Sequence, residues 1–166
     1  SLMISSGEDL GRAGYTFSCW NTKADGTGSN YNPNDAYGAD ADLRLYAKWS
    51  PVKYSIKYGF DGGSFPEGSG ITEYTIESDT FTLPVPTKAG YVFLGWKAEG
   101  SNEAQKTVSI EKGSIGDLSF TAVWRELKKY TVSYNANGGS GSVESQSKLE
   151  GSSIAIAEQT GIKRNG

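Results

Sequence analysis

The sequence has no histidine and a single cysteine, Cys19. Histidine is the side chain whose ordinary pKa lies nearest neutrality. Its absence removes the usual general base, proton shuttle and metal ligand. A lone cysteine can form neither an internal disulfide nor a thiolate metal cluster. Flanked by Phe17 and Trp20, Cys19 reads as a small buried hydrophobe. Neither sign of charge is in excess, since 16 Lys and Arg stand against 19 Asp and Glu for a net charge of −3. That argues against a basic patch for nucleic acid. Long apolar runs are missing too. A membrane-spanning helix needs roughly 20 apolar residues, and Leu2-Met3-Ile4 is too short for the apolar region of a signal peptide. Neither membrane insertion of this segment nor a leader is expected.

Aromatic residues make up 12% of the chain, with 10 Tyr and 4 Trp, and there are 22 Gly. Disordered chains are poor in aromatics, so this one is expected to fold. Tyr, Thr and Val beside so much Gly predict many short strands joined by tight turns.

The chain also repeats itself. Gly14-Tyr15-Thr16-Phe17-Ser18-Cys19-Trp20 returns as Gly90-Tyr91-Val92-Phe93-Leu94-Gly95-Trp96, from 14 to 90 and so 76 residues on. Tyr54-Ser55-Ile56-Lys57-Tyr58 returns at the same offset as Tyr130-Thr131-Val132-Ser133-Tyr134. Leu43-Arg44-Leu45-Tyr46-Ala47-Lys48-Trp49 returns from 43 to 118, 75 residues on, as Leu118-Ser119-Phe120-Thr121-Ala122-Val123-Trp124. Gly166 falls in phase with Gly90 and Gly14, so a longer parent array is expected. This register makes 52–125 a complete unit, 1–50 the back half of a preceding one and 130–166 the front half of a following one. Pieces this small bury little surface alone. The halves are therefore expected to complement each other, within one molecule or by strand exchange between neighbours. A rival phase has units at 15–89 and 91–166.

Within a unit, Val52, Tyr54, Ile56, Tyr58 and Phe60 alternate with polar or small residues, the pattern of a half-buried strand. Asp61-Gly62-Gly63 supplies turn residues, and Ile71 to Ile76 reads as the hairpin partner. Phe81-Thr82-Leu83 is short and extended, halted by Pro84 and Pro86. Tyr91 to Trp96 is apolar on both parities, as in a strand covered on both faces. Leu118, Phe120, Ala122 and Trp124 share one parity. The stretches after Trp20 and Trp96 read as hairpin turns, and short helical turns are placed near 34–39 or 109–115.

No motif carries catalytic chemistry. Asp25-Gly26-Thr27-Gly28 has neither a second cooperating carboxylate nor a closing Lys-Ser/Thr, and reads as a turn. Asn30, Asn32, Asn34, Asp35, Asp40 and Asp42 are rich in oxygen but lack calcium-loop spacing, so they read as a solvated loop. Leu83-Pro84-Val85-Pro86-Thr87 lacks the glycine and the following apolar segment of a sortase signal. Glu103, Glu111, Asp117 and Glu126 are scattered. No catalytic residue, cofactor or metal is expected. The repeated aromatics read as core, namely Tyr15, Phe17, Trp20, Trp49, Tyr54, Tyr58, Tyr91, Phe93, Trp96, Trp124, Tyr130 and Tyr134. Tyr31, Tyr37 and Tyr74 depart from the repeat and are the candidates for surface contact.

The blocks Tyr130–Gly139, Gly90–Trp96 and Leu43–Trp49 resemble the Listeria–Bacteroides repeat family, also known as the B-repeat of internalin-type surface proteins. Cys19 in place of the family's Gly and Asp61 in place of Asn are departures, as is Phe120-Thr121-Ala122 in place of Leu-Tyr-Ala. The resemblance implies a mainly β or α+β fold of tandem, small, β-grasp-like (ubiquitin- or SUMO-like) units with little helix. It further implies a bacterial cell-surface or secreted protein in which such repeats act as non-catalytic spacers, stalks or adhesion-type modules. The implied partners are proteins or glycans at the cell surface. Carbohydrate or matrix binding, or an accessory role beside a larger secreted enzyme, are the alternatives.

Overall fold

Period-two patterning and frequent turn residues give a chain of strands, described for residues 1–158 in a computed structural model. The first stretch holds β1 (Leu2–Met3), β2 (Tyr15–Asn21), β3 (Asn30–Tyr31), β4 (Ala36–Tyr37) and β5 (Tyr46–Pro51). The middle stretch opens with β6 (Tyr54–Gly59), β7 (Glu73–Tyr74) and β8 (Phe81–Thr82). It continues with β9 (Tyr91–Ala98), β10 (Ala104–Gln105), β11 (Ser109–Ile110) and β12 (Leu118–Glu126). After it come β13 (Lys129–Val132) and β14 (Gln146–Leu149). No helix forms among the described residues, so the fold is all-β rather than α+β. The expected helical turns are replaced by β4 and β11, because 36–37 and 109–110 pair with β1 and β8.

The largest sheet has the order β10-β9-β12-β6-β7. Its centre is a parallel pair, in which Leu118, Ser119, Phe120 and Thr121 of β12 lie opposite Ile56, Lys57, Tyr58 and Gly59 of β6. On its other edge β12 runs antiparallel to β9. β8 and β11 form a separate two-stranded sheet. One core cluster lies between these elements, built on Ile56, Tyr74, Leu83, Phe93, Trp96, Ile110, Phe120 and Ala122. Trp96 is its centre at 1% exposure. Its ring meets Tyr58, Phe65 and Phe93 at centroid distances of 5.2, 5.8 and 5.3 Å.

β9 corrects the expectation of a strand covered on both faces. Phe93 lies opposite Trp124 and Gly95 opposite Val123, so Leu94 is the extra residue of a bulge. The bulge changes the parity, burying Phe93 and Trp96 while Leu94 stays 44% exposed. The same step recurs in β2, where Phe17 faces Trp49 and Cys19 faces Lys48. The turn after β6 is as expected. Asp61 and Gly62 take φ of 47° and 85°, as Asn137 and Gly138 do at 44° and 86°. Two successive positive φ values make the primed turn, which suits Asx-Gly.

The first stretch repeats the second in topology. The order β3-β2-β5 matches β10-β9-β12, and β1-β4 matches β8-β11. Ile4 N–H donates to the Asp35 carbonyl at 2.8 Å, as Leu83 N–H donates to that of Val108 at 2.9 Å. The β13–β14 hairpin matches β6–β7, Tyr130 standing opposite Lys148 where Tyr54 stands opposite Tyr74. Complementation is expected from the sequence within one molecule or between neighbours, and the described residues show no pairing between these two stretches. Among the described residues, β5 pairs with β2 and β13 with β14, and no sheet holds both.

Candidate functional site

A cavity of about 510 Å³ opens beside Trp20 in the first stretch, lined by Leu2, Met3, Ile4, Tyr37, Asp42, Leu43 and Leu45 among others. Its position is explained by comparison with the complete unit. Trp96, the counterpart of Trp20, is covered by Tyr58, Phe60 and Phe65 from the β6 side. Trp20 has Phe17 at 5.2 Å. Its indole N–H donates to the Ser5 carbonyl at 2.8 Å, matching Trp96 to Pro84 at 3.0 Å. The residues around this cavity thus correspond to part of the core of the middle unit.

The predicted contact residues divide. Tyr31 and Tyr37 are half-buried and meet edge to face at 6.3 Å. The Tyr37 hydroxyl donates to the Ala41 carbonyl at 3.0 Å. Tyr74 is not a surface residue. It is 4% exposed and its hydroxyl donates to the Gly116 carbonyl at 2.6 Å. Its place opposite Tyr54 on the core side of β7 explains that, and burial raises its pKa, helped by Tyr54 and Asp117.

Among the predicted core residues, Phe93 and Trp96 are buried, with Tyr54, Tyr58 and Trp124 packed against them. Burial pushes the Tyr58 hydroxyl up to about 12. Tyr15, Phe17, Trp20, Trp49 and Tyr134 are half-buried. Tyr91 and Tyr130 are corrections, at 38% and 46% exposure. Tyr91 instead lies under a cation, with the Lys88 ammonium 4.1 Å from its ring centre. Arg12 stacks at 4.0 Å over Tyr15, the same position in the first stretch.

Asn21, which the sequence places only at the start of a turn, ends β2, is 1% exposed and organises the whole β2–β3 loop. Its amide donates to the carbonyls of Gly26 and Gly28 and to Asn30 Oδ1. Its Oδ1 accepts from Lys23 and Gly28 N–H. Nothing local distinguishes such a caged asparagine from a solvated one. Asp25 is spent on the same loop, its carboxylate held low by the Thr27 amide and then the Thr27 hydroxyl. Of the oxygen-rich loop residues, Asp35 accepts from Asn32 N–H at 2.7 Å and Asp42 lines the cavity. Among the described residues no three His, Cys, Asp or Glu side chains gather as a metal would require. Cys19 is buried and free. Leu83 and Pro86 of the proline-rich stretch are also buried.

A sequence model of the Listeria-Bacteroides repeat domain matches residues 3–48, 54–123 and 130–166. The chain belongs to this repeat family. The matches follow the correspondence already seen between β1–β5, β6–β12 and β13–β14. Two relatives come from Evansella cellulosilytica. One, provisionally named a Gly-rich membrane protein, is 32% identical over 150 residues, covering 84% of this chain and 17% of the relative. The other, provisionally named a membrane protein, is 44% identical over 103 residues, 60% of this chain and 14% of the relative. The chain therefore spans under a fifth of each. No solved structure matches. No helix among the described residues is long and apolar enough to cross a membrane. The family and these names point to a surface repeat protein.

Proposed function

We propose that this chain is a non-catalytic spacer and protein-interaction segment of a bacterial cell-surface or secreted protein, built from β-grasp-like units in series. The parallel β12–β6 pair at the centre of a mixed sheet supports the β-grasp reading. The observation that carries the spacer reading is a hydrogen-bonded junction at each end of the middle unit. The Tyr15 hydroxyl donates to Glu77 at 2.9 Å where the first stretch meets the middle unit. At the next junction Arg125 donates to both carboxylate oxygens of Glu150, at 2.9 and 3.3 Å, and Lys128 N–H adds a third bond at 3.2 Å. Between β12 and β13 only Leu127 and Lys128 intervene. So short a connection with bonded flanks restricts bending, as a stalk requires.

Small-angle scattering on this chain and on a tandem duplication of it tests the reading. The maximum dimension should grow in proportion to the number of units. A duplicated chain no longer than the single one would overturn the spacer role. Protease shaving of whole bacteria expressing the parent protein tests the address, and resistance of this segment would count against surface exposure. Glycan binding is the second reading, favoured by Tyr37 at the cavity with Tyr31 against its ring. A glycan array with the native chain and with Tyr31→Ala and Tyr37→Ala separates the two.

A further inference from the structure

We infer that the middle unit is a tension-bearing clamp, whose first and last long strands lie side by side and must be sheared past each other before it extends. The spacer reading supplies only the source of the load, and the clamp itself follows from the strand order. The chain enters the unit at β6 and leaves it at β12, and these two are parallel neighbours in the largest sheet. A pull toward the start of the chain draws β6 back along its axis from Tyr54. A pull toward the end draws β12 forward along the same axis from Glu126. The two forces are opposed and run along the strands. The facing positions from Ile56–Leu118 to Gly59–Thr121 therefore take the load together rather than in turn. Neither strand has an easier way out. β12 is also held by antiparallel β9 from Phe120 to Glu126, and β6 by Glu73 and Tyr74 of β7.

Side chains lengthen this ladder at both ends. Before its first rung, the Ser55 amide and hydroxyl donate to Asp117 at 2.7 and 3.0 Å. Beyond its last, the Trp124 indole N–H donates to the Phe60 carbonyl at 2.9 Å, and the Lys88 ammonium donates to the Asp61 carbonyl at 2.6 Å. One face of the pair is sealed, with Ile56 3% and Phe120 5% exposed in the core around Trp96. Bonds shielded there cannot be exchanged for bonds to water as they stretch. The chain is also pinned just outside both strands. Val52 N–H donates to the Gly14 carbonyl at 2.9 Å, and Leu127 N–H to the Gly90 carbonyl at 2.8 Å. Little slack precedes the load. A pull in another direction meets no such resistance. Lys53 and Ile115 stand three residues before Ile56 and Leu118, so the same register sets them opposite each other. Force across those two acts at right angles to the strands. It opens the pair one rung at a time, beginning with Asp117 and Ser55.

Single-molecule force spectroscopy on the full chain tests this, because forced unfolding reads the barrier in the direction of the pull. One form is held by enzymatically attached handles at its two ends. The other carries Lys53→Cys and Ile115→Cys as attachment points, and Cys19→Ala removes the native thiol from both. Pulled by its ends, the middle unit should release residues 54–126, a gain of roughly 200 Å in contour length. That event should need at least about twice the force of the pull across Lys53 and Ile115, since rungs share the load in one direction only. The doubly substituted form, when pulled by its ends, should keep the high force. This separates direction from any weakening by the substitutions themselves. Equal forces in the two directions, within that one form, would overturn the clamp. The spacer reading would survive such a result, since it is judged by the scattering dimensions alone.

Discussion

At the scale of single residues, the same position in two copies does different work. Trp96 is closed over by three aromatic rings from the β6 side and Trp20 borders a cavity. Truncating a fully packed Trp costs about 3–5 kcal/mol, and less where the site is already open. Trp96→Ala should therefore lower the denaturant midpoint much more than Trp20→Ala. Equal losses in urea titrations would show that Trp20 is as enclosed as its counterpart. Gly95 and Cys19 form a second pair. Gly95 has φ 154°, and a Cβ there would sit 2.6 Å from the Gln105 carbonyl carbon. That neighbour is backbone and cannot turn aside. Gly95→Cys should thus destabilise the middle unit or separate β10 from β9, although Cys19 is at home at the matching position. Amide exchange at Ala104 and Gln105 reads this, and unchanged protection there would refute it. Asn21 is the third case. With both ends of its amide occupied in a buried site, Asn21→Ala strands several polar groups at about 1–3 kcal/mol each. Its melting temperature should fall clearly in scanning calorimetry.

At the scale of elements, the parallel pair decides the unit. The link from β6 to β12 spans nearly the whole repeat, and Asp117 at the start of β12 fastens it to Ser55. The Ser55 amide, then its hydroxyl, hold the Asp117 carboxyl below its ordinary value. A carboxyl with a depressed folded pKa binds fewer protons folded than unfolded. Its contribution is present above the unfolded pKa and is lost as pH falls through the folded one. Melting temperatures should therefore drop on acidification below about pH 4, with a shallower drop in Asp117→Asn. Asp79, held down by Lys112, and Glu150, held down by Arg125, act in the same direction. The substitution removes one share of the slope, and an identical acid limb would show that Asp117 carries none. At the alkaline end the sign reverses. Tyr58 is raised to about 12, so its contribution is full below pH 10 and declines as pH rises through 12. Tyr58→Phe should flatten that limb.

At the scale of the whole molecule, the middle unit holds the core cluster and is flanked by stretches that repeat parts of its topology. Such a solenoid-like arrangement gives stability that depends on neighbours as well as on each unit. The middle unit, which holds the core cluster, should therefore show the slowest amide exchange, and equal protection across the first stretch would argue against it.

The sequence by itself determined the repeat, its three blocks and the strand character of β6, β9 and β12. These follow from period-two alternation and turn residues, which act over a few neighbours. It also placed the Asx-Gly turns, because positive φ is a local preference of those residues. Only the tertiary structure decided the parity change at Leu94 and the burial of Tyr74 and Asn21. It alone decided the exposure of Tyr91 and Tyr130. For Leu94 and Tyr74 the deciding partner lies on a strand distant in sequence, and for Asn21 it is the folded path of the whole β2–β3 loop, so neighbouring residues alone do not reveal it.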